Sequence, residues 1–311
     1  MSLSGLEIIK FTETEPSAFN EQITESNAVA ERIIIKATLA DLPKMRDRYP
    51  FIYLEHGRLE IYASSVKWIS ADREVFRLPA ALIATILLGP GTSVTHEAIK
   101  VLATLNTTVC WVGEDSLNFY AVGQSPTANT YNLKKQVALA SDPKKAIRVA
   151  RNMFLKRFTD VDVSQKTLPE LMALEGKRVQ KCYANLANKY FVAWGGRSYV
   201  PGNFTLSDLT NKLITAGNAA LYALVSSVIH ALGLSPRIGF IHSGSPLPLV
   251  YDIADLYKEE LVFDMAFALT VKMAGEYNRY EALDEFKNRV INAKLLEKCP
   301  ADIIALLELK S

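Results

Sequence analysis

GQSPTANT, residues 123–130, is the stretch on which the fold turns. It is polar and rich in the residues that interrupt regular structure, so neither a helix nor a strand is expected to run through it. The hydrophobic pattern differs on its two sides. Upstream, from Arg32 to about Val122, apolar and β-branched residues recur at a spacing of two between turn residues, the period of strands. Downstream the period becomes helical. Strands first and helices after, instead of an alternation of the two, predict an α+β chain with a β-strand N-terminal domain and a mainly α-helical C-terminal domain. The expected divisions are an extension over 1–31, the β-rich domain over 32–123, a linker over 124–130 and the helical domain over 131–311.

IIIKAT opens the strands, and VKWIS, REVFRLP, ALIATILL, TTVCWV and LNFYAV follow. FIYLEHGRLEIY, residues 51–62, reads as two alternating runs joined at His56-Gly57, the pattern of a hairpin. One helix interrupts the strands, with Thr95 as its N-cap and Ala98, Val101, Leu102 and Leu105 on one face. Beyond the linker, YNLKKQVALA predicts a helix, and DPKKAIRVARNMFLKRF predicts a second with Asp142 as N-cap and Pro143 in the first turn. Further helices are expected over Leu168–Tyr190, Ser207–Leu232 and Leu249–Met273, and in one or two segments from Arg279 onward.

Charge is the next clue. The net charge is only +2, but residues 131–212 hold 15 Lys and Arg against 6 Asp and Glu, while the segments on either side are mildly acidic. Clustered cations are what a polyanion-binding surface leaves in a sequence, the alternative being a solvated helical face. Cys110, Cys182 and Cys299 are widely spaced, without a CxxC pair, and are expected to be buried reduced thiols. The first ten residues lack a basic n-region with a long apolar core, and no run reads as a membrane span, the longest candidate being strand-sized around Ala80–Leu88. Both point to the cytoplasm.

Candidate chemistry concentrates in PRIGFIHSGSPLPLVYDIADLYK, residues 236–258. Pro246 and Pro248 stop any helix from continuing through them, and Pro248 suits the first turn of a new one. On that helix Asp252, Asp255 and Glu259 fall in one stripe, opposite Leu249, Val250, Ile253, Ala254, Tyr257 and Leu261. His242, on the loop just before, can fold back over the first turn. An imidazole beside carboxylates suits Mg2+ or Mn2+, where zinc would take more nitrogen or sulfur. The bland alternative is a solvated acidic face and a surface histidine. Glu175 sits in LMALEGKRVQ, followed by Gly176, a helix-interior glycine that suggests close approach by another backbone or a ligand, and by the basic Lys177 and Arg178. WGGRSY, residues 194–199, with Arg197 and Tyr199, precedes Phe204 and Tyr222, aromatic faces on which unpaired bases could stack. GPGT at 89–92 lacks the lysine and spacing of a phosphate loop, and HSGSP lacks the first glycine of a nucleophile elbow, so nucleotide hydrolysis and serine hydrolysis have no support.

FIYLEHGRLEIY, GPGTSVTHEAIKVLA, VCWVGE, NMFLKRF, LEGKRV, AWGGRSY and IGFIHSGSPLPLVYDIADLYK, in this order and spacing over roughly residues 42–300, resemble the CRISPR-associated integrase family, CRISPR-associated protein 1, of subtype I-E. The resemblance implies a catalytic helical domain in which Glu175, His242 and Asp255 hold the metal with Asp252 beside them. It also matches Lys258, Arg197, Tyr199 and Tyr222 to positions that handle the DNA end. Ser245 stands where the pattern often has lysine, and Asn118 where it often has arginine. The activity implied is metal-dependent DNA cleavage and insertion of DNA fragments into a CRISPR array by attack of a 3′-hydroxyl on a phosphodiester. The partners implied are double-stranded DNA with 3′-hydroxyl ends, repeat DNA, a second copy of the chain, and a dimer of CRISPR-associated protein 2. Two rival readings are a non-catalytic nucleic-acid-binding protein and a metal-dependent phosphodiesterase of small substrates.

Overall fold

The computed structural model describes residues 10–11, 42–62, 65–113, 118–123, 130–158, 160–198 and 207–309. The strand expected at IIIKAT, most of the expected linker, Tyr199 and Phe204 lie outside them. Within them, strands precede helices, and the chain has the expected α+β character.

Among the described residues nine strands form two sheets: β1 (Lys10–Phe11), β2 (Tyr49–Leu54), β3 (Gly57–Tyr62), β4 (Ser65–Ser70), β5 (Val75–Leu78), β6 (Ile83–Leu88), β7 (Thr92–Val94), β8 (Thr108–Val112) and β9 (Phe119–Gly123). The first sheet runs β1-β5-β4-β3-β7 and the second β2-β6-β8-β9. Helix α1 (His96–Thr104) joins β7 to β8, and its N-cap is the expected Thr95, whose hydroxyl accepts from the Ala98 N–H.

FIYLEHGRLEIY is not a hairpin. β2 pairs in parallel with β6 in the second sheet, whereas β3 pairs with β4 and β7 in the first. The chain changes sheet at Glu55-His56, where His56 takes a φ of 52°. A second crossing, Gly89–Gly91 between β6 and β7, lies alongside and is tied to it: His56 N–H donates to Pro90 O (2.9 Å) and Gly57 N–H to Gly91 O (3.0 Å). The physical reason lies in burial. β2 is buried on both faces, Phe51 and Tyr53 facing one core and Ile52 and Leu54 the other, so it belongs to a covered inner layer. Alternation of residues in the sequence does not say which sheet a strand joins.

One core lies between the two sheets and α1, around Leu59, Trp68, Ile83, Ile86 and Leu102. The other face of the second sheet packs on the helices, with α5 (Leu209–Ala231) against β6 and β9 and α8 (Arg279–Asn292) against β2. The remaining helices are α2 (Tyr131–Ala140), α3 (Pro143–Arg157), α4 (Leu168–Tyr190), α6 (Pro248–Ala254), α7 (Asp264–Lys272) and α9 (Leu295–Leu306). α5 is long and apolar enough to cross a membrane, which the sequence reading missed, but 83% of its apolar window is buried as the central helix of the bundle. All three cysteines are free; Cys110 and Cys299 are buried and Cys182 is half-buried.

The single helix expected over Leu249–Met273 is three pieces. α6 tightens after Ala254, a π-helical turn occupies Glu259–Phe263, and α7 follows. Gly217 of α5 lets this turn approach, because a Cβ there would sit 2.8 Å from Val262 Cγ1. Inserted π turns widen a helix locally and are frequent at functional sites. Here the break separates Asp255 and Lys258 from the continuing helix.

Candidate active site

Asp252 is the anchor. Its side chain is fully buried and its carboxylate accepts from three successive backbone N–H groups, Phe240 (2.6 Å), Ile241 (3.1 Å) and His242 (3.0 Å). It also bonds His242 Nδ1 at 2.8 Å. A run of backbone N–H groups curled around a carboxylate is an anion nest, and it fixes the loop by its own main chain. Gly239 makes room: a Cβ there would lie 2.8 Å from Asp252 Oδ2 and 2.7 Å from Pro248 Cβ. From the far side, buried Gln136 of α2 donates to Ser235 O (2.8 Å) and Ile238 O (2.7 Å) and accepts from Ser235 N–H. The loop that carries His242 is thus held at both ends.

With Nδ1 committed to Asp252, His242 Nε2 faces Asp255, 3.7 Å from Oδ2. The Asp252 hydrogen bond raises the imidazole pKa, burial opposes this, and Asp255 and Glu175 add to the rise. Asp255 in turn meets Lys258 Nζ at 2.6 Å, both side chains being largely buried. Burial would strip the ammonium of its proton, yet the neighbouring carboxylate more than compensates and lifts the Lys258 pKa.

Glu175 reaches the same cleft from α4. The start of α4 is set by the Thr167-Glu170 pair, in which Thr167 N–H donates to the Glu170 carboxylate at 2.7 Å, and by Pro169 in the first turn. Two turns on, Glu175 Oε1 accepts from Arg157 Nη1 of α3 at 2.5 Å. Glu175, Asp255, Arg157, Lys258 and Arg197 line one cavity of about 620 Å³, and His242 looks into its continuation past Glu175 and Gly176.

The single stripe expected for Asp252, Asp255 and Glu259 is not formed, and the solvated-face alternative fits Glu259 alone of the three: Asp252 points into the protein, Asp255 into the cleft, and Glu259 is exposed. Among the described residues no three acids, histidines or cysteines close around a common point; Glu175 faces Arg157 and Asp255 faces Lys258. Gly176 has no neighbour that a Cβ would touch, so the close backbone approach expected there is absent; what its missing side chain leaves is open cleft.

Arg197 lines the cleft while anchored on α5, its guanidinium donating to Asn211 Oδ1 and Thr215 Oγ1, both at 2.7 Å. Arg178 also lines it, paired twice to Asp160 and lying over the Phe158 ring. Lys177 is exposed and outside the cavity lining. Tyr222 stands edge-on to Tyr251, with ring centroids 5.0 Å apart, and under the Lys258 ammonium. Three residues with no role assigned from sequence line these walls: Arg157, Tyr251 and Asn218, whose Oδ1 is buried without a hydrogen-bond partner. Arg157 lay in plain view in NMFLKRF, but nothing local marks it off from Lys156.

The family model for CRISPR associated protein Cas1 matches residues 51–162 and 154–293. The chain belongs to the Cas1 family. It is 54% identical over 276 residues to the CRISPR-associated endonuclease Cas1 2 of Chlorobaculum tepidum, covering 89% of this chain and 93% of that one. It is 35% identical over 255 residues to the CRISPR-associated endonuclease Cas1 of Escherichia coli K12, covering 81% and 84%. Its fold superposes on the crystal structure of a TtCas1-DNA complex with a TM-score of 0.75 and 32% identity, over 84% of this chain and 92% of that one. The strand-then-helix order described above is therefore shared with that structure.

Proposed function

We propose that this protein is a divalent-metal-dependent DNA endonuclease and integrase that inserts DNA fragments into a CRISPR array. The carrying observation is that His242, fixed by Asp252, faces Asp255 at 3.7 Å beside the cation-lined cleft that Asp255 shares with Glu175. A buried Asp252 whose polar partners among the described residues are the His242 loop and imidazole is hard to reconcile with a surface acid that merely keeps a binding protein soluble.

One imidazole nitrogen and two carboxylates form a donor set suited to Mg2+ or Mn2+, and the cations now facing those carboxylates stand where positive charge is wanted. Glu175, His242 and Asp255 would hold the ion, with Asp252 fixing the imidazole so that Nε2 is the nitrogen presented. When bound, the ion would polarise the scissile phosphate and stabilise its developing charge. The reaction proposed is transesterification: the 3′-hydroxyl oxygen of the incoming DNA forms a bond to a phosphorus of the repeat, and the bond from that phosphorus to its own 3′-oxygen breaks. Arg197 and Lys258 supply positive charge to the phosphates along the cleft, and Tyr222 offers an aromatic face to an unpaired terminal base. Family membership supports assembly as a homodimer with a dimer of CRISPR-associated protein 2, and a cytoplasmic location.

The test is half-site integration of a short duplex into a repeat-bearing plasmid, with Mn2+ and with chelator. Joined product that needs Mn2+ and disappears in Glu175→Ala and Asp255→Ala supports the proposal; undiminished joining in those variants removes it.

A further inference from the structure

Two basic side chains face the carboxylates of the cleft. Glu175 faces Arg157 Nη1 at 2.5 Å and Asp255 faces Lys258 Nζ at 2.6 Å, and all four side chains are between 10% and 17% exposed. Charges this enclosed are weakly screened, so each carboxylate is already neutralised before any ion arrives. The other cations of this wall have different commitments: Arg178 is paired to Asp160, Lys156 to Asp302, and Arg197 donates to Asn211 and Thr215.

A divalent ion entering between Glu175 and Asp255 would have to displace an ammonium and a guanidinium and then sit beside both. Two displaced cations left buried beside a doubly charged ion are costly, unless an anion takes them. The anion brought by the substrate is a phosphodiester, to which guanidinium and ammonium are both suited.

We propose that Arg157 and Lys258 are exchange cations: they occupy Glu175 and Asp255 in the DNA-free protein, and move to phosphates of the incoming DNA when the metal takes those carboxylates. The inference rests on the metal reading of this site. Its consequence is that metal and DNA bind cooperatively, and coupling is reciprocal, so each raises the affinity of the other by the same factor. Arg157 thereby becomes a positioning residue for the DNA.

Mn2+ binding to the full-length protein, followed by loss of the free-ion electron paramagnetic resonance signal, reads this without any turnover. In the wild type a non-cleavable duplex is expected to tighten Mn2+ by about tenfold, within the usual range of coupling between sites. Arg157→Gln and Lys258→Gln are expected to bind Mn2+ severalfold more tightly than wild type without DNA, and to lose most of the DNA-induced gain. A purely structural role for these ion pairs would instead weaken Mn2+ in both variants. Unchanged or weaker Mn2+ binding in DNA-free Arg157→Gln and Lys258→Gln, with binding still lost in Glu175→Ala and Asp255→Ala, overturns the exchange and leaves the metal site standing. Mn2+ binding that survives in Glu175→Ala and Asp255→Ala overturns both. Absence of any effect of DNA on Mn2+ affinity in the wild type overturns the exchange whether or not the variants fold.

Discussion

Asp252 grips His242 twice, by the backbone N–H at 3.0 Å and by Nδ1 at 2.8 Å. One carboxylate therefore sets both the position of the loop and the direction of the imidazole, and stability and function should separate between the two residues. Asp252→Ala strands the buried N–H groups of Phe240 and Ile241 and the half-buried one of His242, and is expected to cost about 3 to 5 kcal/mol, read as a fall in the denaturant midpoint. His242→Ala removes a side chain that is 29% exposed and is expected to cost about 1 kcal/mol or less while abolishing metal-dependent joining. Equal destabilisation by the two would refute this division of roles.

Two glycines give opposite signs. Gly239→Ala drives a Cβ to within 2.8 Å of the Asp252 carboxylate and should destabilise by about 1 to 3 kcal/mol. Gly176→Ala meets nothing and lies inside α4, so it should stabilise by up to about 1 kcal/mol through helix propensity. Thermal melts of the two variants beside wild type check the pair.

These positions also mark how far the sequence could be read. Helix α4 spans the expected Leu168–Tyr190 because its start signals, Thr167, Pro169 and Glu170, are local. The partition of FIYLEHGRLEIY between two sheets is not local: it depends on Pro90 and Gly91 meeting His56 and Gly57. A uniform 3.6-residue period puts Asp252 and Asp255 on one stripe, but it says nothing of the Phe240–His242 backbone that draws Asp252 inward. The residues of the candidate site were visible as residue types; that Arg157 meets Glu175 is a packing fact between α3 and α4, 18 positions apart in the chain.

The β strands and the helices are latched through Glu55. It pairs with Arg279 at 2.6 Å and accepts from the hydroxyls of Tyr280 and Tyr53, and its side chain is 5% exposed. Glu55→Ala leaves Arg279 facing two tyrosines without its carboxylate and is expected to cost about 3 kcal/mol. Arg279→Ala in the same background should add less than it does alone, because the carboxylate it pairs with is already gone; full additivity of the two in a double-mutant cycle would show that the latch is not a coupled pair.

His230, near the end of α5, provides the pH dependence. Burial lowers its pKa to about 4, and its Nε2 has no hydrogen-bond partner. The folded protein thus keeps this ring neutral where the unfolded chain, titrating near 6.5, takes up a proton. Below 6.5 the unfolded state binds more protons than the native state, so stability is lost as pH falls from about 6.5 towards 4, and no further through this group below that. Between pH 7 and pH 5 the loss should be about 1 to 2 kcal/mol, allowing for the partial exposure of the ring. His230→Leu is expected to remove that slope. Urea unfolding at the two pH values, wild type against variant, measures it, and an identical pH 7 to pH 5 difference in both proteins would show that His230 is not the titrating group.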